Sequence, residues 1–518
     1  MKRTGLKVAL LALSVAALTI WVDWPCVRNG FVDWDDYVYL NEVARHHELS
    51  LGTIQWAFST VRPFYYHPLT RLSHVLDYQL WKWNPAGHHL TSVLLHGMNA
   101  GLVVILIWVL CGLRPTLSLS GWFVVAGAVG LVFGIHPLQV ESVAWVAERK
   151  NLLCGCFTLI SLIAYVRWTQ KRSGRGWRWV MLASFLAALL SKPMAVSVPV
   201  VMLALDFYPL RRHISEGWRA LYEEKMVMIG CCVAVSIVTL LPSMQEGGVT
   251  GLTRFGIMAR SMVAARSLMF YLWKLFWPRW LSPYYPLEGA IPAVHAEYLT
   301  SAAAVVAISL IAVWQRNQAP ALLSAWIIYV ALILPVSGLA QTGAQAAGDR
   351  FMYLVMLAPL TLVVWLWVWA ASRFRLLGRA ALIAAAASEL AFFGYSTRAQ
   401  IAVWRNDETL WRETLTYFPN SALANYMMAN ALMRQQELEK ALPYARQAVA
   451  LSPDFARAHY RLACLYSRLN RTQEALAALR LAILYDNDYA PLAQRDDDLA
   501  NLRNDPQLAE QFRQLVGL

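Results

Sequence analysis

Charged residues are scarce in this sequence, and acidic residues are the scarcest. The chain has 32 acidic and 45 basic residues, and charged residues make up 15% of its 518 positions, whereas soluble domains carry about 25%. A wholly soluble fold is therefore a poor interpretation. The seven cysteines include no CxxC pair, which argues against a disulfide framework or a zinc site. The net charge is +13, and the basic residues lie mostly in short loops between apolar runs. Nucleic-acid binding is therefore a poor explanation of the positive charge.

Long apolar runs dominate the first four hundred residues. A membrane-spanning helix needs about 20 mainly apolar residues. The pattern predicts an all-α polytopic bundle of about eleven such helices. The N-terminus has the basic start and apolar stretch of a cleaved signal peptide, but no cleavage site precedes a soluble domain, so we expect an uncleaved first helix. The predicted spans lie near 6–22, 91–111, 121–138, 151–168, 177–193, 194–210, 226–242, 296–314, 319–336, 352–371 and 378–396.

Basic residues in the short loops predict the orientation, because Lys and Arg accumulate on the cytoplasmic side. With a cytoplasmic N-terminus, the basic loops "VRWTQKRSGRGWRW", "PLRRHISEGWRALYEEK" and "SRFRLLGR" lie inside. Residues 31–40 and everything after residue 397 then face outward. The stretch 261–277 is apolar but interrupted by basic residues, and a further span there would invert the parity of the last helices. We therefore interpret it as a helix lying at the interface or dipping into it.

A 34-residue period appears after the last apolar run, and it is typical of tetratricopeptide helix pairs. We predict a membrane domain over 1–397 and a tetratricopeptide-repeat α-solenoid over 398–518, with two full repeats over roughly 421–488. The segment "DDDLANLRNDPQLAEQFRQL" is expected to form a polar capping helix, which a short solenoid needs. The residue pairs that share the period are Pro419 and Pro453, Tyr426 and Tyr460, Ala429 and Ala463, Ala441 and Ala475, and Ala448 and Ala482.

Three aspartates, Asp33, Asp35 and Asp36, follow the first apolar run in "FVDWDDYVYL". Ionised carboxylates are costly in lipid, so they must face water or a cavity. They either cap a solvated loop or provide a general base at the membrane surface. A neighbouring carboxylate raises the pKa of a carboxyl group toward the range that proton abstraction needs.

The tripeptide HPL occurs twice, each time at a predicted outer membrane edge. His67 lies close to Arg71, and His136 lies close to Glu141. A histidine at such an edge is often a structural interface residue, but two such sites beside charged residues are also candidates for substrate binding. The spacing of His136 and Glu141 does not match a zinc helix motif such as HExxH; a histidine-rich metal site remains an alternative.

Six stretches in order resemble the transmembrane tetratricopeptide-containing O-mannosyltransferase (TMTC) family and its bacterial relatives, which are GT-C glycosyltransferases. They are the Asp35-Asp36 pair, "FGIHPLQVESVAWVAERKNLL", "LLSKPMAVSVPVVMLALD", "LFWPRWLSPYYP", "AGDRFMYL" and "VWRNDETLWRETLTYFPNSALANY". Together they extend over residues 35–426, most of the chain. Each is weak alone, and their order with the appended repeats carries the resemblance.

The resemblance implies an inverting sugar transfer, of mannose or another hexose, from a polyprenyl-phosphate carrier to a protein hydroxyl on the outer face. It implies that Asp35 or Asp36 is the base, with Asp35 preferred and Asp33 structural. Arg350 is the first candidate to bind the leaving phosphate, since guanidinium binds phosphate bidentately, and Asp349 would orient it or act as a second acid. Further candidates for binding the donor phosphate or sugar are Arg149, Arg266, Lys274, His67, Arg71, His136 and Glu141.

The resemblance also bears on partners, cofactors and location. We expect the repeats to dock a secreted or membrane protein acceptor, and we expect no metal requirement, although some GT-C enzymes use a divalent cation. The protein would lie in a bacterial inner membrane with periplasmic repeats, or in the endoplasmic reticulum membrane with lumenal repeats. Two other functions compete. A lipid-linked-sugar flippase would more typically place its site near the midplane, and an inert scaffold would leave Arg350 and the aspartates unexplained.

Overall fold

The computed structural model describes residues 2–46, 48–61, 66–113, 116–170, 174–245, 256–287, 295–339 and 345–517, and these ranges are mostly helical. This confirms the predicted all-α class. The chain divides into two compact units. The membrane unit comprises Met1–Leu281 and Leu287–Arg405, and the repeat unit comprises Ser282–Pro286 and Asn406–Leu518. The division falls beyond the predicted boundary at residue 397, because the last apolar helix continues to Val403.

The membrane unit consists of eighteen described α-helices joined by short 3-10 turns. The short strand Gln345–Ala347 also belongs to this unit. The helices are α1 Lys2–Asp23, α2 Asp36–Arg45, α3 Leu51–Ser59, α4 Pro68–Trp81, α5 Pro85–Cys111, α6 Leu119–Ile135, α7 Val140–Ala144, α8 Arg149–Gln170, α9 Arg175–Ser191, α10 Val198–Phe207, α11 Arg212–Ser215, α12 Gly217–Gln245, α13 Ile257–Phe276, α14 Ala296–Trp314, α15 Pro320–Ile333, α16 Met352–Val355, α17 Leu357–Arg373 and α18 Leu376–Val403.

Every predicted span overlaps a helix, although the helices differ in their ability to cross a bilayer. Five described helical segments are long and apolar enough to span a membrane: Thr4–Arg28, Pro85–Cys111, Val146–Gln170, Ala296–Asn317 and Leu376–Val403. Two bent pairs raise the number to seven if each pair is one span. Pro193–Phe207 and Pro320–Val336 are apolar but shorter. The chain is thus polytopic, and the count of eleven spans stays a prediction, as does the interfacial position of 261–277, now within α13.

The first bent pair places polar residues in the interior of the unit. Leu119–Ile135 and Pro137–Ala144 meet at 52°. His136 between them has an extended backbone with ψ of 133°, and Pro137 lacks the N–H that would continue the helical ladder. The second pair, Asp349–Val355 and Leu357–Arg373, meets at 61°. Both breaks lie at the sequence motifs that carry candidate residues.

Helices α1, α5 and α6 pack closely because glycines face their neighbours. A Cβ atom on Gly97 of α5 would lie 2.5 Å from the Ile20 side chain, and one on Gly134 of α6 would lie 2.0 Å from the Thr19 hydroxyl. Small residues at such contacts let membrane helices approach at backbone distance. The first helix is therefore an integral part of the bundle core.

The repeat unit contains the predicted helix pairs, Ala422–Arg434 with Leu438–Leu451 and Ala456–Arg468 with Thr472–Tyr485. Its six periodic alanines are fully buried, at 0% exposure, because the paired helices approach too closely for larger side chains. Gln436 and Asn470, one repeat apart, both have positive φ where the first helix of each pair ends. The predicted capping helix is divided into Asp497–Leu499, α25 and α26. The helices are α19 Asp407–Tyr417, α20 Ala422–Arg434, α21 Leu438–Leu451, α22 Ala456–Arg468, α23 Thr472–Tyr485, α24 Tyr489–Ala493, α25 Ala500–Arg503 and α26 Ala509–Val516, with the short strand Tyr285–Pro286.

Candidate active site

Both oxygens of the Asp36 carboxylate are hydrogen-bonded to backbone amides. Its Oδ2 accepts a hydrogen bond from the Val32 amide at 3.0 Å, and its Oδ1 accepts one from the Ala147 amide at 2.8 Å. The side chain is buried. A carboxylate that accepts backbone N–H bonds is stabilised in its ionised form. Asp36 therefore ties the first loop to the segment that precedes α8.

The Asp35 carboxylate has a different environment. It is half-buried, and among the described residues no group donates a hydrogen bond to its side chain. Burial raises the pKa of Asp35 to about 6, while Lys150 lowers it and Glu148 raises it. A carboxylate with that pKa is mostly ionised at neutral pH and is still basic enough to accept a proton.

Three cations surround the buried carboxylate of Glu148, and we call this group the Glu148 cluster. Lys150 Nζ lies 2.9 Å from Oε1, Lys192 Nζ lies 3.1 Å from Oε2, and Arg350 Nε lies 3.5 Å from Oε1. The cationic side chains keep 12%, 13% and 12% exposure, respectively, so part of each side chain remains accessible. Lys150, Glu148 and Arg350 all act electrostatically on Asp35, which places that carboxylate beside the cluster.

Arg350 is the most constrained of the three cations. Its Nη1 donates to Glu141 Oε1 at 2.5 Å, and its Nη2 donates to Gln345 Oε1 at 2.7 Å. Its guanidinium also lies 5.4 Å from the centre of the Trp145 ring, over its face, which adds a cation–π attraction. The planar fork is thus held in one orientation beside Glu148.

The backbone around Arg350 is fixed by partners from three other helices. Its N–H donates to Glu141 Oε2 at 2.7 Å, and its carbonyl accepts from Asn151 Nδ2 at 3.0 Å. The amide of Gly348 donates to the Tyr271 hydroxyl at 3.0 Å. A Cβ atom on Gly348 would lie 2.6 Å from Arg350 Nη1. Only glycine leaves room there for the guanidinium as it is placed.

His67 contacts the cluster through one intermediary, whereas Arg71 has other partners. His67 Nε2 is hydrogen-bonded to the Tyr39 hydroxyl at 2.9 Å. Lys150 Nζ lies 5.4 Å from the centre of the Tyr39 ring. The Arg71 guanidinium donates to the Thr60 carbonyl and lies 3.9 Å from Glu42.

The two candidates at the second HPL site, His136 and Glu141, have different roles. Glu141 binds Arg350, as described above. His136 Nδ1 accepts from the Leu138 amide at 3.2 Å, and its Nε2 is hydrogen-bonded to the Leu275 carbonyl at 3.0 Å. Both ring nitrogens are therefore occupied at the helix break, and His136 has the geometry of a structural cap.

Two further basic candidates are paired elsewhere. The guanidinium of Arg149 forms an ion pair with Asp77 and donates to the His88 carbonyl at 2.7 Å. It is fully buried. Arg266 pairs with Glu297 at 2.7 Å. Neither has a contact with the Glu148 cluster among the described residues.

The remaining candidates are Lys274 and Asp349, and Asp349 directly precedes Arg350 in the chain. Lys274 Nζ donates to the carbonyls of Arg279 and Trp280 at 2.6 and 2.8 Å, and Asp349 acts on it electrostatically. Asp349 is buried. The structure thus brings Asp35, Glu141 and Arg350 together, and His67 is linked to this group through Tyr39.

Sequence reasoning did not select Glu148, Lys150, Lys192 or Trp145. All four lie inside the stretches that carry the family resemblance, "VESVAWVAERKNLL" and "LLSKPMAV". The sequence feature that could have identified Lys150 and Lys192 was a basic residue directly beside a predicted outer helix end. That signal selected Arg149, although its neighbour Lys150 is the residue that contacts Glu148.

An apolar groove begins one turn beyond Lys192. It lies between the segment Pro193–Phe207 and α12, and its volume is about 620 Å³. Lys192 directly precedes the first 3-10 turn of that segment. The groove is lined by Val196, Pro199, Val200, Leu203, Tyr222, Ile229, Cys232, Val233, Ser236, Ile237 and Leu240.

One group of potential metal ligands occurs in the described ranges, and it lies in the repeat unit. It comprises Cys464, Asp496 and Asp498. Asp496 accepts from the Tyr460 hydroxyl at 2.7 Å, and Asp498 lies 3.5 Å from Arg468. These carboxylates are therefore engaged in packing the end of the solenoid.

The fold and the cluster define an integral membrane protein of the polytopic helical class, with a buried charged site and an appended tetratricopeptide domain. A tetratricopeptide-repeat family model matches residues 432–495. No solved structure matches the chain.

Several curated relatives are named protein O-mannosyl-transferases of the TMTC family. The chain is 32% identical to the protein O-mannosyl-transferase tmtc2 of Xenopus laevis over 168 residues, 31% of this chain and 19% of that protein. It is 23% identical to human TMTC1 over 435 residues, 74% of this chain and 48% of that protein. The chain is thus related to the TMTC family, as predicted, and the matches span between a fifth and a half of those relatives' length.

Proposed function

We propose that this protein transfers a sugar, mannose or another hexose, from a polyprenyl-phosphate carrier to a protein hydroxyl. The observation that carries the proposal is the Asp35 carboxylate, to which no described residue donates a hydrogen bond, beside Lys150 and Arg350 of the Glu148 cluster. This arrangement brings a base near an anion site, and transfer from a phosphate-linked sugar needs both. The names of the relatives, protein O-mannosyl-transferases, support the same chemistry.

Asp35 acts as the general base. The acceptor O–H gives its proton to the Asp35 carboxylate while the oxygen attacks the anomeric carbon of the donor sugar. The bond from that carbon to the phosphate oxygen breaks, and the carrier phosphate leaves with the electron pair. A single displacement inverts the anomeric configuration. Asp36 cannot take this role without losing the amides of Val32 and Ala147.

The cations of the Glu148 cluster bind the leaving phosphate. Arg350, Lys150 and Lys192 share the two carboxylates of Glu148 and Glu141, and the one positive charge left over becomes available to the phosphate when Asp35 takes up the acceptor proton. Negative charge grows on the phosphate as the sugar departs, so preorganised cations stabilise the transition state more than the ground state. In this proposal the protein's own cations supply that stabilisation, and a metal ion is not required.

The apolar groove holds the start of the polyprenyl chain. It is lined almost entirely by carbon and begins one turn from Lys192, so a phosphate on the cluster would direct its chain into it. The repeats dock the acceptor, because solenoids of this kind form peptide-binding surfaces. Loop charges favour an outward site, in the periplasm of a bacterium or in the endoplasmic reticulum lumen.

The test is transfer by the purified full chain in proteoliposomes. Polyprenyl-phosphate mannose, and in parallel the glucose donor, is supplied with secreted proteins from cells that lack the chain. We expect mass spectrometry to detect hexose on serine or threonine with inverted anomeric configuration, and no transfer by Asp35→Asn. Movement of donor across the bilayer without transfer would instead indicate a flippase. Neither transfer nor movement would indicate a scaffold.

A further inference from the structure

Trp145 lies at the centre of the site and has an unused hydrogen-bond donor. Its side chain is 2% exposed. Within the described ranges no acceptor lies within hydrogen-bond distance of its indole N–H. Buried polar groups are nearly always paired, so an unpaired donor needs an explanation.

The surroundings of Trp145 distinguish it from other tryptophans. Among the described residues, the indole N–H groups of Trp81, Trp122 and Trp404 also lack an acceptor, so the unpaired donor alone carries no inference. Trp145 differs because two cations lie over its ring. Lys150 Nζ is 5.6 Å and the Arg350 guanidinium carbon is 5.4 Å from the ring centre.

The orientation of the ring is fixed by other aromatic side chains. Trp404, at the end of α18, stacks on Trp145 with ring centres 5.6 Å apart and planes inclined by 23°. Trp34, which directly precedes Asp35, lies 6.4 Å away on a tilted plane. The indole cannot rotate freely to find another acceptor. The ring is held close to Lys150 and Arg350, so an anion bound by both cations would lie near the indole.

We propose that the Trp145 indole N–H is a further donor to the carrier phosphate, acting beside Lys150 and Arg350. This inference rests on the proposed function for the identity of the anion. A hydrogen bond to a charged group is stronger than one between neutral groups. Its loss should weaken phosphate binding by about tenfold or more.

The test separates the N–H from the ring. Trp145→Phe keeps an aromatic face for the cations and removes the donor. Trp122→Phe is the matched control, because the Trp122 indole N–H also lacks an acceptor among the described residues, but Trp122 lies in the first turn of α6 and has no contact with the Glu148 cluster among those residues. We expect about tenfold weaker binding of sugar-free polyprenyl phosphate by Trp145→Phe, with a lower turnover, and wild-type affinity for the control.

Two additions keep the inference falsifiable. If Trp145→Phe lowers the thermal midpoint strongly, a benzothiophene amino acid at position 145 replaces the N–H by sulfur at nearly constant size. Wild-type phosphate affinity in either folded variant would overturn the inference. Because the assay uses carrier phosphate without sugar, its result is independent of whether the wild-type chain transfers mannose. Normal binding with no transfer would contradict the proposed function and leave the Trp145 donor supported.

Discussion

Helix α8 separates two buried charged clusters that differ in how fully they are paired. At its C-terminal end Asp206 accepts from Tyr165, Lys225 and Arg212 at 2.5, 2.7 and 3.2 Å. Glu224 binds Arg212 and Lys225 at 2.6 and 2.7 Å. Every charge in this group, which we call the Asp206 cluster, has a close partner of opposite sign.

The Glu148 cluster at the N-terminal end of α8 differs in the neighbouring Asp35, to which no described residue donates a hydrogen bond. The ends are about 33 Å apart for a helix of this length. Its three cations share the carboxylates of Glu148 and Glu141, and their side chains keep 12%, 13% and 12% exposure. Buried charges are costly unless they are paired, so a cluster left open indicates a site for another charged group. We therefore assign a structural role to the Asp206 cluster, which we call closed, and a chemical role to the Glu148 cluster, which we call open.

The largest effect is expected from neutralising the base. Asp35→Asn keeps the size of the side chain and cannot accept a proton at neutral pH, so transfer should fall by about 100- to 10,000-fold. Asp36→Asn is the matched control: it faces an amide N–H with its own NH₂ group, and it should lower the thermal midpoint while the folded fraction stays active. Transfer rates and melting curves on both variants check this. An inactive, stable Asp36→Asn beside an active Asp35→Asn would reverse the assignment.

A smaller loss is expected at Arg350. Arg350→Ala removes the bidentate donor and leaves Glu141 without its partner, so turnover should fall by about a hundredfold. Arg350→Lys keeps the charge without the planar fork and should retain an intermediate rate. Steady-state kinetics with varied donor separates affinity from turnover. If Arg350→Ala had the donor affinity and the turnover of the wild type, Arg350 would only anchor the chain at the membrane interface.

The pH dependence of transfer should report Asp35. Its pKa is raised to about 6, by burial first, and Lys150 holds it down. The carboxylate is protonated below that pH, so kcat/KM should fall as pH decreases through about 6. Removing the positive charge disfavours the carboxylate, and Lys150→Gln should therefore move the acid limb to higher pH. An unmoved limb in Lys150→Gln would show that Lys150 does not act on the base, and Lys225→Gln serves as the control from the closed cluster.

The smallest effect is expected at Gly348. An alanine there would displace the Arg350 guanidinium, since the new Cβ would lie 2.6 Å from Nη1. We expect a several-fold loss of donor affinity with little change in thermal midpoint. Gly394→Ala on α18 is the control, because a Cβ there has no atom within 4 Å. Donor titration of the two variants compares them, and equal affinities would mean that Arg350 adapts without loss.

The sequence predicted those features that depend on local pattern. Apolar runs located the helices, and the 34-residue period located the repeats with their buried alanines. It also selected Asp35, Asp36 and Arg350 as candidates. The choice between the aspartates depends on the amide of Ala147, more than a hundred residues away, so no local pattern could make it.

The rest of the site could not be predicted from the sequence, because it depends on the direction in which each side chain points. Arg149 and Lys150 are adjacent in the chain, yet one pairs with Asp77 and the other with Glu148, because consecutive helical residues point to different neighbours. Lys192 reaches Glu148 from the end of another helix. Such meetings depend on how α8 and α9 pack, which the hydropathy pattern does not specify.

Binding of polyprenyl phosphate to the purified full chain tests the contrast between the two clusters most directly. Lys192→Gln removes a cation from the open cluster, and Lys225→Gln removes one from the closed cluster. We predict that Lys192→Gln raises the Kd about tenfold, whereas Lys225→Gln lowers the thermal midpoint and leaves the Kd of the folded protein unchanged. Equal weakening by both variants, or wild-type affinity in Lys192→Gln, would contradict the account.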